Sequence, residues 1–185
     1  MKDDSLGFKG PLTVSTPASE VLSAPPQRVV SVQEFEDLLA TEGEDLHGVA
    51  VTFGRPNDPP CSPVWMAVVM ADEELLQRLL AHDGPAACRS QVNVYDENSR
   101  CFPIHCAAKL QLLAAVESLI EAGADVNVQN GDLFNLGMSG FRLLPECGGQ
   151  TALHFLCKQR EHDDLIAACR QLLAARADVD LKDHL

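Results

Sequence analysis

Aromatic residues and clustered cations are scarce in this 185-residue sequence. Aromatic residues make up 5%, with one Trp and one Tyr. The core must therefore be built largely from Leu, Val, Ile and Ala, a composition that favours helices. The formal net charge is −13, and no run of Lys and Arg occurs. Because phosphate binding needs clustered cations, nucleic acid is not an expected ligand, whereas a basic protein surface would be attracted.

Features of secreted and membrane-spanning proteins are also missing. The opening MKDDSLGFKG has no apolar signal-peptide core, and no apolar run reaches the length of a membrane span. The seven cysteines are an odd number, which argues against a complete disulfide framework. We therefore expect an intracellular protein, cytoplasmic or nuclear, with free thiols.

Catalytic and cofactor signatures are absent as well. The sequence has no P-loop, no G-x-S-x-G turn, no dinucleotide-binding glycine pattern and no C-x₂-C metal spacing. The cluster CFPIHC, from Cys101 to Cys106, is the one place that could suggest a metal or a Cys–His pair, and it lacks the paired spacing of a zinc site. We expect no catalytic residue, no cofactor and no metal in this chain.

The first third of the chain divides into an arm, a helix and a loop. Residues 1–30 are rich in Ser, Thr, Pro and Gly without a sustained period, which predicts a flexible arm. From Val32 to Leu39 the apolar residues share one helical face, and Ser31 can serve as the N-cap. An amphipathic helix is predicted there. The prolines of GRPNDPPCSP then predict a loop.

Three segments after residue 61 share one template, which indicates an internal repeat. They begin at Ser62, Phe102 and Thr151. Each contains a short helix, a break and a second helix rich in Leu. The predicted helices lie near residues 63–71, 73–82, 103–110, 113–122, 151–160 and 164–175.

The middle segment carries the clearest motif. It contains Pro103-Ile104-His105, then Ala107-Ala108, then Gly123-Ala124-Asp125-Val126-Asn127. This pattern resembles the ankyrin repeat, a unit of about 33 residues made of a β-turn and two antiparallel helices. The resemblance implies an all-α fold, a short ankyrin-repeat solenoid of stacked helix pairs joined by β-turn or hairpin loops. It covers residues 62–185, with repeats at 62–93, 102–127 and 151–180 and a candidate degenerate cap at 31–60.

Departures from the family pattern lie mainly in the spacing. The repeats start 40 and 49 residues apart (62 to 102, then 102 to 151), where an undecorated array would give about 33. The extra length between the second and third repeats is an insertion at residues 131–149. It includes six large apolar residues between Leu133 and Leu144. Trp65 stands where the family has His, and Phe102 where it has Thr.

The resemblance also implies roles for individual residues. Pro63 and Pro103 would each open the first helix of a repeat, since proline suits the first helical position. His105 would hydrogen-bond the backbone of the neighbouring turn, and Ala107 with Ala108 would let helices pack closely. Gly123 would end the second helix with a positive φ.

The family resemblance implies a protein–protein interaction module, a non-catalytic scaffold or adaptor. Its contacts would come from the first helices, the turn tips and the insertion. For any one of these residues, simple exposure to solvent is an equally good interpretation. The candidate partner-binding residues are Met66, Met70, Tyr95, Asp96, Glu97, Asn98, Lys109, Asn130, Asp132, Leu133, Phe134 and Phe141.

A different hypothesis is that the chain is a regulatory or substrate-recruiting segment of a larger multidomain enzyme, such as a ubiquitin ligase, kinase or acyltransferase. Its catalytic domain would then lie outside these residues. In both hypotheses the expected partner is another protein, for which a basic surface is one option. We also expect the chain to belong to a longer protein or to meet a partner at its end, because no capping repeat follows LIAACRQLLAA.

Overall fold

The computed structural model describes residues 28–41, 46, 49–53, 60–82, 91–97, 99–131, 148–158 and 163–184. Most of the predicted arm, Asn98 and residues 132–147 of the insertion lie outside this part of the chain.

A strand–helix–strand unit comes first. Strand β1 (Arg28–Ser31) pairs in parallel with β2 (Val49–Thr52), and helix α1 (Val32–Ala40) lies between them in the chain. The predicted N-cap is confirmed, because the Ser31 hydroxyl accepts the Glu34 N–H at 3.3 Å while the Glu34 carboxylate accepts the Ser31 N–H at 2.8 Å. This reciprocal pair satisfies two donors that the helix end would otherwise leave free.

The two strands were not predicted from the sequence. Strand β2 contacts the first helix of the repeat region, and Val51 exchanges two backbone hydrogen bonds of 2.9 Å with Cys61. The unit therefore packs beside the first repeat, as a cap would. Its helix is flanked by strands in the described residues. The degenerate cap proposed for residues 31–60 stays a prediction.

Three helix pairs follow. Helix α2 (Pro63–Val69) pairs with α3 (Glu73–His82), α4 (Pro103–Lys109) with α5 (Leu113–Glu121), and α6 (Ala152–Cys157) with α7 (Asp163–Ala174). The predicted helices are all found. The first helix of the last pair ends at Cys157, three residues before the predicted residue 160, and the Lys158 N–H donates to the His154 carbonyl at 3.2 Å as its C-cap.

The pairs stack in two rows. The first helices contact one another in the order α2, α4, α6, and the second helices in the order α3, α5, α7. One apolar core runs through both rows and includes the fully buried Phe35, Met66, Leu119 and Leu172. Since each pair buries its apolar face only against its neighbours, the stack rather than any single repeat is the unit of stability.

Asparagine side chains join successive repeats along one edge. The Asn93 amide accepts the Asp125 N–H at 2.8 Å and donates to the Gly123 carbonyl at 3.1 Å. Asn127 makes the same two bonds one repeat later, to the Asp178 N–H at 2.7 Å and the Arg176 carbonyl at 3.2 Å. These bonds set the spacing between repeats at the point where each second helix ends.

Candidate functional site

The His105 side chain hydrogen-bonds the backbone of the turn before α4 and of the turn after α5. Its Nδ1 accepts the Phe102 N–H at 3.2 Å, and its Nε2 lies 2.9 Å from the Val128 carbonyl, to which it must donate. The side chain is fully buried, and this burial lowers the pKa of His105 to about 4. The ring is therefore neutral at pH 7. Because both ring nitrogens bond the backbone, His105 acts as a structural clamp.

Aromatic rings pack on both sides of His105. The Tyr95 and Phe102 ring centroids lie 5.1 Å apart, those of Phe102 and His105 5.8 Å, and those of His105 and Phe155 5.6 Å. The contacts are tilted or edge-on, the arrangement that aromatic quadrupoles prefer. They connect the turn before α4 to the first helix of the next repeat, so Tyr95 is held against a rigid support.

The tip between the first two repeats is a tight hairpin. Asp96 and Cys101 form an antiparallel bridge with a 2.9 Å backbone hydrogen bond, and the Asp96 carboxylate accepts the Ser99 N–H at 2.7 Å. Asp96 is only 6% exposed, whereas Glu97 and Arg100 are exposed. The buried carboxylate therefore shapes the tip, and its neighbours face solvent.

The next tip is built around Asn130. This residue is 3% exposed, its N–H donates to the Gln150 carbonyl at 3.0 Å, and its carbonyl accepts the Gly149 N–H at 2.9 Å. Its side chain accepts the Gln150 N–H at 2.6 Å. These bonds join the chain on both sides of residues 132–147. The two ends of the insertion are therefore held together by hydrogen bonds at this tip.

The two tips are also joined to each other. The Gly131 N–H donates to the Arg100 carbonyl at 2.9 Å. Beyond the second tip, Gln129 donates to the Gly149 carbonyl at 2.6 Å and to the Lys182 carbonyl at 2.9 Å. The tips consequently form one hydrogen-bonded edge with a fixed geometry.

The ends of the first helices form the other part of the candidate surface. Met70 caps α2 and is 47% exposed, Lys109 is half-buried at the end of α4, and Lys158 is exposed at the end of α6. Burial is the main cause that lowers the pKa of Lys109, which lies near the thiols of Cys101 and Cys106. Lys158 reaches Asp183 at 3.9 Å.

A small apolar groove lies between the first two helix pairs. It has a volume of about 130 Å³ and runs between the α2–α3 turn and the start of α5. Val68, Leu76, Leu112 and Ala115 line it, with Asp72 at its edge. No motif pointed to this groove, because it forms only where two repeats meet.

The prediction that Met66 binds a partner is wrong. The Met66 side chain is 0% exposed and packs in the core, so it cannot belong to a contact surface. It lies on the first helix at a position that faces the neighbouring helices, not the solvent.

Other predicted residues divide by exposure. Asp96 and Asn130 are buried and shape the tips, while Tyr95 is half-buried. Glu97, Met70 and Lys109 retain exposed surface, and the structure adds Arg100 to them. Asn98, Asp132, Leu133, Phe134 and Phe141 lie outside the described residues.

Within the described part of the chain, apolar side chains of the last repeat are exposed. Ile166 and Leu173 on α7 are 47% and 48% exposed, and Val179 is 66% exposed. Val126, which precedes Asn127 in the middle repeat as Val179 precedes Asp180 in the last, is only 5% exposed. The difference arises because a further repeat covers the middle one.

The ankyrin-repeat family model matches two stretches, residues 100–131 and 148–184, which contain the α4–α5 and α6–α7 pairs. Both stretches are ankyrin repeats. The gap between the two matches falls on the insertion, and the α2–α3 pair precedes the first match. Ankyrin repeats are generally protein-interaction modules. Among the described residues, no helix is long and apolar enough to cross a membrane.

Comparison with solved structures found an ankyrin repeat protein, EF0377, with 18% sequence identity and a TM-score of 0.33. The match covers 66% of the present chain and 85% of the other. The comparison with curated proteins found no match.

Proposed function

We propose that this ankyrin array is a non-catalytic protein-binding module whose partner contacts the hairpin tips and the ends of the first helices. One observation carries the proposal. The polar groups that shape the tips, on Asp96 and Asn130, are buried and hydrogen-bonded, while Glu97 and Arg100 beside them are exposed. Because the backbone of the tips is already held in place, it loses little conformational freedom on binding, which favours affinity.

The proposed contact surface carries side chains of both charges. Glu97 and Arg100 on the tip have opposite charges, whereas the second helices expose Glu73, Glu117 and Glu121. With a net charge of −13, the whole chain would accelerate the approach of a partner with a basic surface. Contacts at the tip would then set the final orientation.

Removing the exposed side chains should reduce binding without unfolding the array. We expect the triple variant Glu97→Ala, Arg100→Ala, Met70→Ala to bind its principal partner at least about tenfold more weakly, a loss of about 1.4 kcal/mol. The partner is first isolated on the intact chain from extract of the source cell. Its dissociation constant is then measured by titration calorimetry.

The matched control is Glu117→Ala, Glu121→Ala, Arg170→Ala, which changes three exposed residues on the second helices. It should bind as the parent does. If the control loses affinity and the tip variant does not, the contact surface lies on the second helices and the proposal is wrong.

The insertion is the second part of the proposed binding surface. Deleting Asp132–Glu146 should change the melting temperature by no more than about 2 °C and should weaken partner binding. The 2.9 Å and 3.0 Å backbone bonds between Asn130 and residues 149–150 already close the array at this point. Shortening a segment whose two ends are already held together has a small entropic effect.

A full-length control distinguishes the effect of removing the insertion from the effect of removing only its apolar side chains. Leu133, Phe134 and Phe141 are replaced by Ser, and binding should fall as in the deletion. If the deletion melts much lower than the parent, the insertion packs on the array. If it binds the partner unchanged, the insertion is not a contact element.

The alternative, a regulatory segment of a larger enzyme, stays a prediction. It rests on the frequent association of ankyrin arrays with catalytic domains. Sequencing the parent transcript beyond Leu185 tests it directly.

A further inference from the structure

The groove between the first two helix pairs combines an apolar interior with negative charge. Ten residues line it, of which eight are apolar and two are Asp72 and Glu73. No Lys, Arg or His is among the ten. Its volume of about 130 Å³ is close to that of apolar cavities that hold one benzene molecule. The groove therefore has space for one aliphatic side chain.

The groove extends from the core to the solvent. Val68, Leu76 and Ala115 at its base are at most 5% exposed. Asp72, Glu73 and Ala114, which also line it, are exposed. A side chain that entered the groove would lose contact with water, while the residues on either side of it stayed at the surface.

The two turns that border the groove have the same backbone conformation. Ala71 and Gln111 have φ angles of 55° and 60°. The N–H of the next residue, Asp72 or Leu112, donates to the carbonyl five residues earlier at 3.0 Å in both turns. The two turns are therefore equivalent positions of successive repeats.

The side chains on these two turns differ in kind. Asp72 and Glu73 begin the second helix of the first repeat, whereas Leu112 and Leu113 hold the same positions in the next repeat. Both leucines are only partly buried. One wall of the groove is consequently acidic and the facing wall is apolar.

The negative charge on the acidic wall is not neutralised. The Asp72 carboxylate accepts the Leu75 N–H at 2.9 Å, which fixes its position. Within the described part of the chain, neither Asp72 nor Glu73 forms an ion pair with a Lys or Arg. Glu117 is exposed one turn further along α5 from Ala114 and adds negative charge. A cation near the groove would therefore be attracted.

We propose that this groove binds a segment of a partner protein that inserts one Leu, Ile, Val or Met side chain and carries a Lys or Arg within about three residues of it. The aliphatic side chain would fill the groove and contact the leucine wall. The cation would pair with Asp72 or Glu73. Complementary charge selects this occupant, because an acidic segment would be repelled both by the groove and by a chain of net charge −13.

This proposal rests on the array being a protein-binding module, but it does not depend on contacts at the hairpin tips. The tip at Asp96–Cys101 comes just before the N-terminal end of α4. The groove instead lies at the turn that follows the C-terminal end of α2. The two surfaces can therefore be changed separately.

A randomised peptide library displayed on phage tests the predicted chemistry. The library is selected on the intact chain, and the enriched peptides are synthesised with a fluorescent label for anisotropy titration. They should share an aliphatic residue with a Lys or Arg within about three residues of it. If the enriched peptides lack this pattern, or if no peptide is enriched, the proposal is wrong.

Filling the groove should prevent binding of the selected peptide. Ala114 lines the groove and is exposed on α5, so Ala114→Phe places a large side chain there without altering the core. The dissociation constant should rise at least about tenfold. Ala167→Phe, the same change at an exposed position of α7, is the matched control and should bind as the parent does. Equal affinities of Ala114→Phe and the parent would overturn the proposal.

Neutralising the acidic wall tests the role of the cation. The double variant Asp72→Asn, Glu73→Gln keeps the shape of both side chains and an N-cap for α3. At low salt its affinity for the peptide should be about fivefold lower than that of the parent, and the difference should shrink at high salt.

The control for this variant removes the same amount of charge elsewhere. Glu36→Gln with Asp37→Asn changes two exposed residues of α1 that do not line the groove, and the affinity should change by less than about twofold. If both double variants weaken binding equally, the groove does not recognise the cation and the proposal is wrong.

The protein partner isolated on the intact chain separates the groove from the tips. Ala114→Phe should weaken binding of this partner at least about tenfold. Glu97→Ala with Arg100→Ala should leave binding of the selected peptide unchanged. If the partner loses affinity only for the tip variant, the proposed function stands and the groove proposal fails.

Two further outcomes would assign the groove to another occupant and overturn the proposal. A dimer that Ala114→Phe dissociates in analytical ultracentrifugation would assign it to a second copy of the chain. Tighter peptide binding after deletion of Asp132–Glu146 would assign it to the chain's own insertion.

Discussion

Ala107→Asp is expected to lower the free energy of unfolding by about 3 kcal/mol or more. Ala107 is 0% exposed on α4, a helix that contacts both α2 and α6. A carboxylate at this position would lose its hydration, and a well-packed helix interface has no space for the larger side chain. Urea denaturation followed by circular dichroism gives the change directly.

The same substitution at Ala114 is the matched control. Ala114 is exposed in the first turn of α5, where a negative charge interacts favourably with the helix dipole. The free energy of unfolding of Ala114→Asp should stay within about 0.5 kcal/mol of that of the parent. If both variants lowered the free energy of unfolding equally, Ala107 would not lie in a helix interface.

The second large effect is a pH dependence that originates at His105. Burial lowers the pKa of this residue in the folded chain to about 4 from an ordinary value of 6.5. Between these values the unfolded chain binds a proton that the folded chain does not, so stability falls as the pH decreases from about 6.5 to about 4. At about 1.4 kcal/mol per pKa unit, the full loss is about 3 kcal/mol.

Urea titrations at several pH values between 7.5 and 4 measure this dependence. His105→Asn, which has no titrating ring, should lose the part of the pH dependence that belongs to the histidine, although it starts from a lower stability. If the parent and His105→Asn profiles run parallel, His105 titrates normally and is not the buried clamp described above.

Local patterns were sufficient to locate the repeats. Pro63 and Pro103 each occupy the first position of a first helix, and Gly123 has a φ of 91° after α5. Ser31 caps α1 as expected. Each of these features depends on conformational preferences of residues that are close in the chain, so the sequence alone reveals them.

Exposure could not be predicted in the same way. Met66 on α2 and Met70, the C-cap of α2, are four residues apart, yet Met66 is completely buried and Met70 is 47% exposed. Asp96 and Glu97 are adjacent acidic residues, but only Asp96 turns inward to accept the Ser99 N–H. Which side chain faces a neighbouring repeat depends on how the repeats stack.

The sequence by itself therefore determined the ankyrin pattern, the helix positions and the clamp role expected of His105, because these follow from short-range spacing and turn chemistry. Only the tertiary structure decided that β1 and β2 pair in parallel across a helix, since strand pairing joins residues distant in the chain. It also decided that backbone hydrogen bonds join Asn130 to residues 149 and 150 on the far side of the insertion. These contacts depend on packing between separate segments, which no local pattern encodes.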